Sequence, residues 1–101
     1  MAVNYNTRIV ITTPYTVTND DEIIFSNVAG SASVVLPSLS SGAAGRTYII
    51  KDFSGNSKTN PITITAPSGK TIDGAAFAII NTQYGRVWLT YDGTNWKTIA
   101  L

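Results

Sequence analysis

Short runs of β-branched and aromatic residues, alternating apolar with polar and cut by turn-forming residues at spacings of about 8–12, constrain this chain most. A period of two sends successive side chains to opposite faces of a strand, and Val, Ile, Thr and Tyr suit a pleated, half-buried surface. Extended segments are predicted at residues 8–12, 15–18, 22–28, 31–36, 46–52, 62–66, 71–73, 76–81, 86–91 and 96–100. Between them stand Asn19-Asp20-Asp21, Ala29-Gly30, Ser54-Gly55-Asn56, Pro67-Ser68-Gly69, Asp73-Gly74, Tyr84-Gly85 and Asp92-Gly93. Their Gly, Asn and Asp provide the left-handed backbone and the local side-chain bonds that turns require. No window carries the period of an amphipathic helix, and residues 37–45 (PSLSSGAAG) read as a loop or one short helical turn. No strict internal repeat is visible. At 101 residues the chain is one domain, and the pattern predicts an all-β fold, a compact antiparallel sandwich or barrel-like domain.

The last hairpin is the most informative segment. Residues 87–91 (VWLTY) and 96–100 (WKTIA) flank Asp92-Gly93-Thr94-Asn95. With those four as the loop, Tyr91 faces Trp96, Leu89 faces Thr98 and Trp88 faces Ile99. Val87, Leu89, Tyr91, Trp96 and Ala100 then share one face, while Trp88, Ile99 and Leu101 lie on the other beside Arg86, Thr90 and Lys97. A sheet with one wet face alternates cleanly. Here apolar groups occupy both faces, as they do at Tyr48-Ile49-Ile50, so a further layer or another subunit is expected to cover the second face.

Composition removes several functions. Charged residues make up 13% of the chain, about half the roughly 25% of ordinary soluble domains, and Thr, Ser and Asn replace them. Without Cys or His there is no Ser-His-Asp or Cys-His nucleophile and no usual zinc ligand. Seven basic and six acidic residues, net charge +1, are scattered, which argues against nucleic-acid binding. No apolar run is long enough to span a membrane, so no membrane insertion is expected. Asp73 and Asp92 precede glycines in turns, and Asp20, Asp21 and Glu22 fall in a polar connection, so no catalytic carboxylate pair is assigned. Neither residues 19–22 nor Asp92, Thr94 and Asn95 follow the spacing of a calcium loop, and Ser41-Gly42-Ala43-Ala44-Gly45-Arg46 lacks the end of a phosphate loop. No metal and no cofactor is expected. Aromatics are the better candidates. Tyr84, Tyr91, Trp88 and Trp96 cluster beside Asn81, Gln83, Asp92 and Asn95, the side-chain types that stack on sugar rings and read hydroxyls. The competing reading makes the two tryptophans cross-strand core residues.

Taken in order, Tyr15-Thr16-Val17-Thr18, Asp20-Asp21-Glu22-Ile23-Ile24, Val35-Leu36-Pro37, the stretch G-x-x-Y-x-I-K-D-x-S-G from Gly45 to Gly55, Ile62-Thr63-Ile64-Thr65, Ile72-Asp73-Gly74, Ile79-Ile80-Asn81, Tyr84-Gly85 and Asp92-Gly93-Thr94-Asn95-Trp96 form a set. This set resembles a small β-rich module near the C-termini of bacteriophage tail fibres and other viral fibre or appendage proteins, over residues 15–99. The resemblance implies a virion-located homotrimer that contacts a host surface. It carries no catalytic motif. Residues 1–14 are then a strand or linker to an upstream fibre shaft, and residues 15–101 a sandwich-like tip domain. The expected function is attachment to a host cell-surface receptor, a glycan, without catalysis, through Tyr84, Asp92, Thr94, Asn95 and Trp96. The alternatives are a trimerisation module without a ligand of its own and, less in keeping with the residues, a carbohydrate-active enzyme.

Overall fold

A computed structural model of the chain describes residues 5–99. These form β1 (Thr7–Val10), β2 (Tyr15–Thr16), β3 (Ile23–Ser26), β4 (Ala32–Val35), β5 (Thr47–Asp52), β6 (Ile62–Thr65), β7 (Phe77–Ile80), β8 (Arg86–Tyr91) and β9 (Trp96–Ile99). A single 3-10 turn at Ser41–Ala43 occupies the irregular stretch, and no α-helix occurs among the described residues. Residues 71–73 make only isolated bridges, from Ile72 to Ala75 and to Trp96, rather than the expected strand. Ala100 and Leu101, placed by sequence at the end of the last hairpin, lie outside the described residues.

The strands build two mixed sheets, one in the order β1-β3-β5-β8-β9 and the other β2-β4-β6-β7. Up to β6 the chain changes sheet at every connection. β1, β3 and β5 therefore stack parallel in one sheet, and β2, β4 and β6 parallel in the other. The result is a flattened coil of two-strand rungs. The end of the chain closes it in antiparallel fashion, β7 on β6, β8 on β5 and β9 on β8. The all-β class is as expected, but the purely antiparallel pairing is corrected. Turn residues mark where the chain bends, not which sheet receives the next strand. A parallel pair needs a long return path, and here a strand in the opposite sheet provides it.

Alternate residues of both sheets point inward to one core that includes Val10, Ile24, Val34, Tyr48, Ile50, Ile64, Leu89 and Trp96. Successive rungs superpose like on like, Ile24 beside Ile50 and Val34 beside Ile64. Of residues 1–14, read from sequence as a strand or linker, residues 7–10 form the strand β1. β1 is an edge strand of the five-stranded sheet, Val10 is buried, and Arg8 Nε meets Asp21 Oδ1 at 2.6 Å. Of the β1 residues Val10 is the buried one, and its inward side chain belongs to the core. Met1 and Ala2 lie outside the described residues.

The β8–β9 register is the expected one, with Tyr91 opposite Trp96, Leu89 opposite Thr98 and Trp88 opposite Ile99. The two-faced character of the five-stranded sheet is also as expected. On its outer face the register aligns Thr7, Ile23, Ile49, Trp88 and Ile99 in one row across all five strands. The next row carries Ile9, Phe25, Lys51 and Arg86, with the Phe53 ring edge-on to Phe25 at 5.7 Å between centroids. Ile9, Phe53 and Ile99 are exposed. The outer face of the other sheet is hydroxyl-rich, with Thr16, Ser33, Thr63 and Thr65 beside the exposed Phe77 and Ile79.

Candidate functional site

The tip of the last hairpin is built from its own side chains. Asp92 Oδ1 accepts the N–H groups of Thr94 and Asn95, each at 2.8 Å, closing an Asx-type turn. The Asn95 and Thr94 donors hold the Asp92 carboxyl below its ordinary range. Asn95 Oδ1 accepts from Thr71 N–H at 3.0 Å and ties the tip to residues 71–73. Those residues also cover the edge of β9: Trp96 N–H donates to Thr71 O, Asp73 N–H to Trp96 O, and Thr98 N–H to Asp73 Oδ1. Edge donors occupied in this way are withdrawn from stray strand pairing.

Trp96 is 0% exposed, so its assignment as a stacking residue is corrected. A four-residue loop places Tyr91 and Trp96 on the inner face together. The indole there packs between Tyr48 and Tyr91, at 5.8 and 5.3 Å between centroids. Of the tip residues, Thr94 and Asp92 remain exposed, and the Asp92 carboxylate is engaged by its own turn.

Tyr84 stands at the opposite end of β8. It takes the third position of the turn 82–85, which is closed by Gly85 N–H donating to Thr82 O at 2.9 Å. Its φ is 57°, a region that turns ordinarily give to Gly or Asn. A side chain there costs roughly 1–2 kcal/mol, and both ends of the residue are held. The Tyr84 N–H donates to Asp52 Oδ2 at 3.0 Å, and Lys51 Nζ donates to the Tyr84 carbonyl. Asp52 is buried and also accepts Gly55 N–H at 3.1 Å and Ser57 N–H at 3.0 Å. Burial pushes its carboxyl upward, but the bonds from Ser57, Tyr84 and Gly55 outweigh that and hold it below the ordinary range. One carboxylate thus joins the end of β5 to two loops.

The Tyr84 ring lies against Gly55. A Cβ at Gly55 would sit 2.4 Å from Tyr84 Cζ, and Gly55 has φ +82°. Gly55→Ala is therefore expected to displace the ring and lower stability by about 1–2 kcal/mol from backbone strain alone. Urea unfolding with an unchanged slope would show the loss, and the ring proton resonances of Tyr84 would move. An unaltered midpoint would contradict this packing.

Tyr84 lines an open groove of about 760 Å³ between β7 and the β8–β9 pair. Ala78 and Val87, both partly buried, line its apolar part, with the exposed Ile79 and Ile99 on β7 and β9. Thr82, Gln83, Arg86, Asp73 and Thr98 add polar groups. Asp73 belongs to the Asp-Gly turn read from sequence, with Ile72 and Ala75 exchanging backbone bonds around it. Sequence reasoning found Tyr84 and Gln83 but not Arg86 or Lys51, whose neighbourhood depends on the β5–β8 pairing. A second depression, of about 650 Å³, lies on the outer face of the five-stranded sheet around Tyr5, Ile23, Ile49, Trp88 and Arg46. Trp88 is thus half-exposed on that face, whereas Trp96 is core.

Fold and groove together define a two-sheet β-coil domain whose accessible amide, hydroxyl and aromatic groups meet in an open trough. No protein-family model matches the chain, and no curated protein matches it in sequence.

Proposed function

We propose that this chain is a non-catalytic module of a bacteriophage tail fibre or related virion appendage. In this reading it assembles as a homotrimer and holds the particle to a host cell-surface glycan. The observation that carries the reading is the outer face of the five-stranded sheet, where the apolar row Ile23, Ile49, Trp88 and Ile99 crosses four strands and Ile9, Phe53 and Ile99 are exposed. Contiguous apolar surface of this kind marks association. The sparse charge of the chain makes copies inexpensive to desolvate against one another. Repetition of weak glycan sites in the trimer and along the virion then gives firm attachment by avidity. The outer edges of β1 and β2 have no strand partner among the described residues, so a shaft on that side would continue the coil as a further rung.

Light scattering on the purified chain tests the assembly. The expected mass is about three times the 10.8 kDa of one chain. Ile49→Lys, which places an unpaired charge at the centre of the apolar row, is expected to return the mass to that of one chain. Ile99→Lys, at an exposed position, should act in the same direction without disturbing the fold. A wild-type mass of one chain at all concentrations would remove this reading. The alternative, an assembly module without a ligand, draws on the structural use of Asp92, Asn95 and Trp96. It predicts that a trimer carrying changes at Gln83 and Tyr84 adheres to host cells no differently from wild type.

A further inference from the structure

We infer that the groove beside Tyr84 is a binding site for a carboxylate-bearing sugar. The inference rests on the attachment reading for the source of the ligand, a surface glycan; its physical argument is independent of the trimer.

Lys51 and Arg86 stand directly opposite each other in the β5–β8 pair. The adjacent pair, Asp52 and Gly85, carries a ladder bond of 2.9 Å. Lys51 and Arg86 therefore occupy a non-hydrogen-bonded position, where facing side chains come closest. Like charges placed so are destabilising. Among the described residues the ion pair present is Arg8 with Asp21, and no carboxylate neutralises Lys51 or Arg86. The nearby acids are committed elsewhere. Asp52 is buried under backbone donors, and Asp73 accepts the N–H and hydroxyl of Thr98. Arg86 is exposed, lines the groove and has no hydrogen-bond partner among the described residues. In a chain with so few charges, two adjacent cations form a local field that an anion would satisfy.

Beside them is a fixed aromatic platform. Tyr84 is 52% exposed, its ring centroid lies 5.5 Å from Lys51 Nζ, and it is restrained by Gly55 and by the bonds at both ends of its backbone. A strained residue held from both sides is a feature of ligand sites, and a platform already rigid loses little entropy on binding. The Arg86 guanidinium offers a planar fork for a carboxylate. The Tyr84 ring accepts the apolar face of a pyranose, and the Gln83 amide and Thr82 hydroxyl line the same groove for its hydroxyls. A polyanion such as nucleic acid needs many phosphate contacts, and two cations in a chain of net charge +1 do not provide them.

The test is an amide NMR titration of the full chain with methyl β-glucuronide, with methyl β-glucoside and inorganic phosphate as separate arms. Saturable shifts are expected at Tyr84, Gly85 and Arg86 with the glucuronide, with at least tenfold weaker responses to the glucoside and to phosphate. Arg86→Gln, whose own spectrum reports its folding, should weaken the glucuronide at least tenfold, while Lys97→Gln, at the far end of the sheet, should leave it unchanged. Absence of a saturable shift, an equal response to glucoside or phosphate, or wild-type affinity in Arg86→Gln would overturn the inference. Light scattering separates the two claims. A trimer that ignores all three probes sinks the groove alone, and a single chain that binds the glucuronide sinks the trimer alone.

Discussion

Trp96→Ala is expected to lower the unfolding free energy by about 3–5 kcal/mol, the usual range for removing a large aromatic from a core. The indole is 0% exposed and packs on Tyr48 and Tyr91, so its removal leaves a cavity between the two sheets that rigid strands on either side cannot close. A domain of this size has about 5–15 kcal/mol of total stability, so the variant will be marginal at 37 °C. Trp96→Phe should cost distinctly less. The indole Nε1 has no hydrogen-bond partner among the described residues, so phenylalanine gives up area without orphaning a bonded group. Urea unfolding followed by circular dichroism measures both. A loss below about 1 kcal/mol for the alanine variant, together with lost adhesion, would return the ring to the surface role first read from sequence.

Asp52→Ala comes next, with an expected loss of about 3–5 kcal/mol, because the N–H groups of Gly55, Ser57 and Tyr84 lose their acceptor together. Ser57 is fully buried, so water cannot readily replace the carboxylate there. The effect depends on pH in a definite direction. The folded-state carboxyl is held below its unfolded value, so its contribution is complete above the unfolded pKa of about 4 and disappears as pH falls through the folded value. Asp21 acts in the same sense. Burial raises its carboxyl, but Arg8 Nε at 2.6 Å, Tyr15 OH at 2.5 Å and Thr18 N–H at 3.0 Å prevail and lower it. On the tyrosine side, burial and the Asp21 carboxylate push the Tyr15 phenol up to about 12. Stability should therefore fall as the pH drops below about 4, and the fall should be shallower in Asp52→Asn, which keeps the shape without the titrating group. Parallel pH profiles for wild type and Asp52→Asn would show that the carboxylate is not the acid-sensitive tie.

The coil itself left no period in the sequence. Thr7 stacks on Ile23 and Ile23 on Ile49, while Tyr15 stacks on Val34 and Val34 on Ile64. The steps differ because the later rungs carry longer connections, including residues 36–46 and 53–61. Loops lengthen at little thermodynamic cost, so a structural repeat can persist without a repeated spacing. The same uncertainty of pairing hid the groove. Tyr84 stood out as an aromatic beside Gly85, but nothing local places Lys51 opposite Arg86. The buried place of Trp96 was hidden for a related reason. Asp92, Asn95 and Trp96 have the composition of a sugar site, and the turn and the core use all three.

By itself the sequence determined where strands run, where the chain turns, the register of the last hairpin and the two-faced character of the five-stranded sheet. Each follows from short-range rules: a period of two, the Asp-Gly turns, and a four-residue loop that aligns Tyr91 with Trp96. Tertiary structure alone decided which sheet each strand joins, that Trp96 faces the core while Trp88 faces outward, and that Lys51, Tyr84 and Arg86 meet beside one groove. Those outcomes depend on strands far apart in the chain crossing between two layers to fill a common core, and alternation within a strand is the same whichever neighbour it acquires.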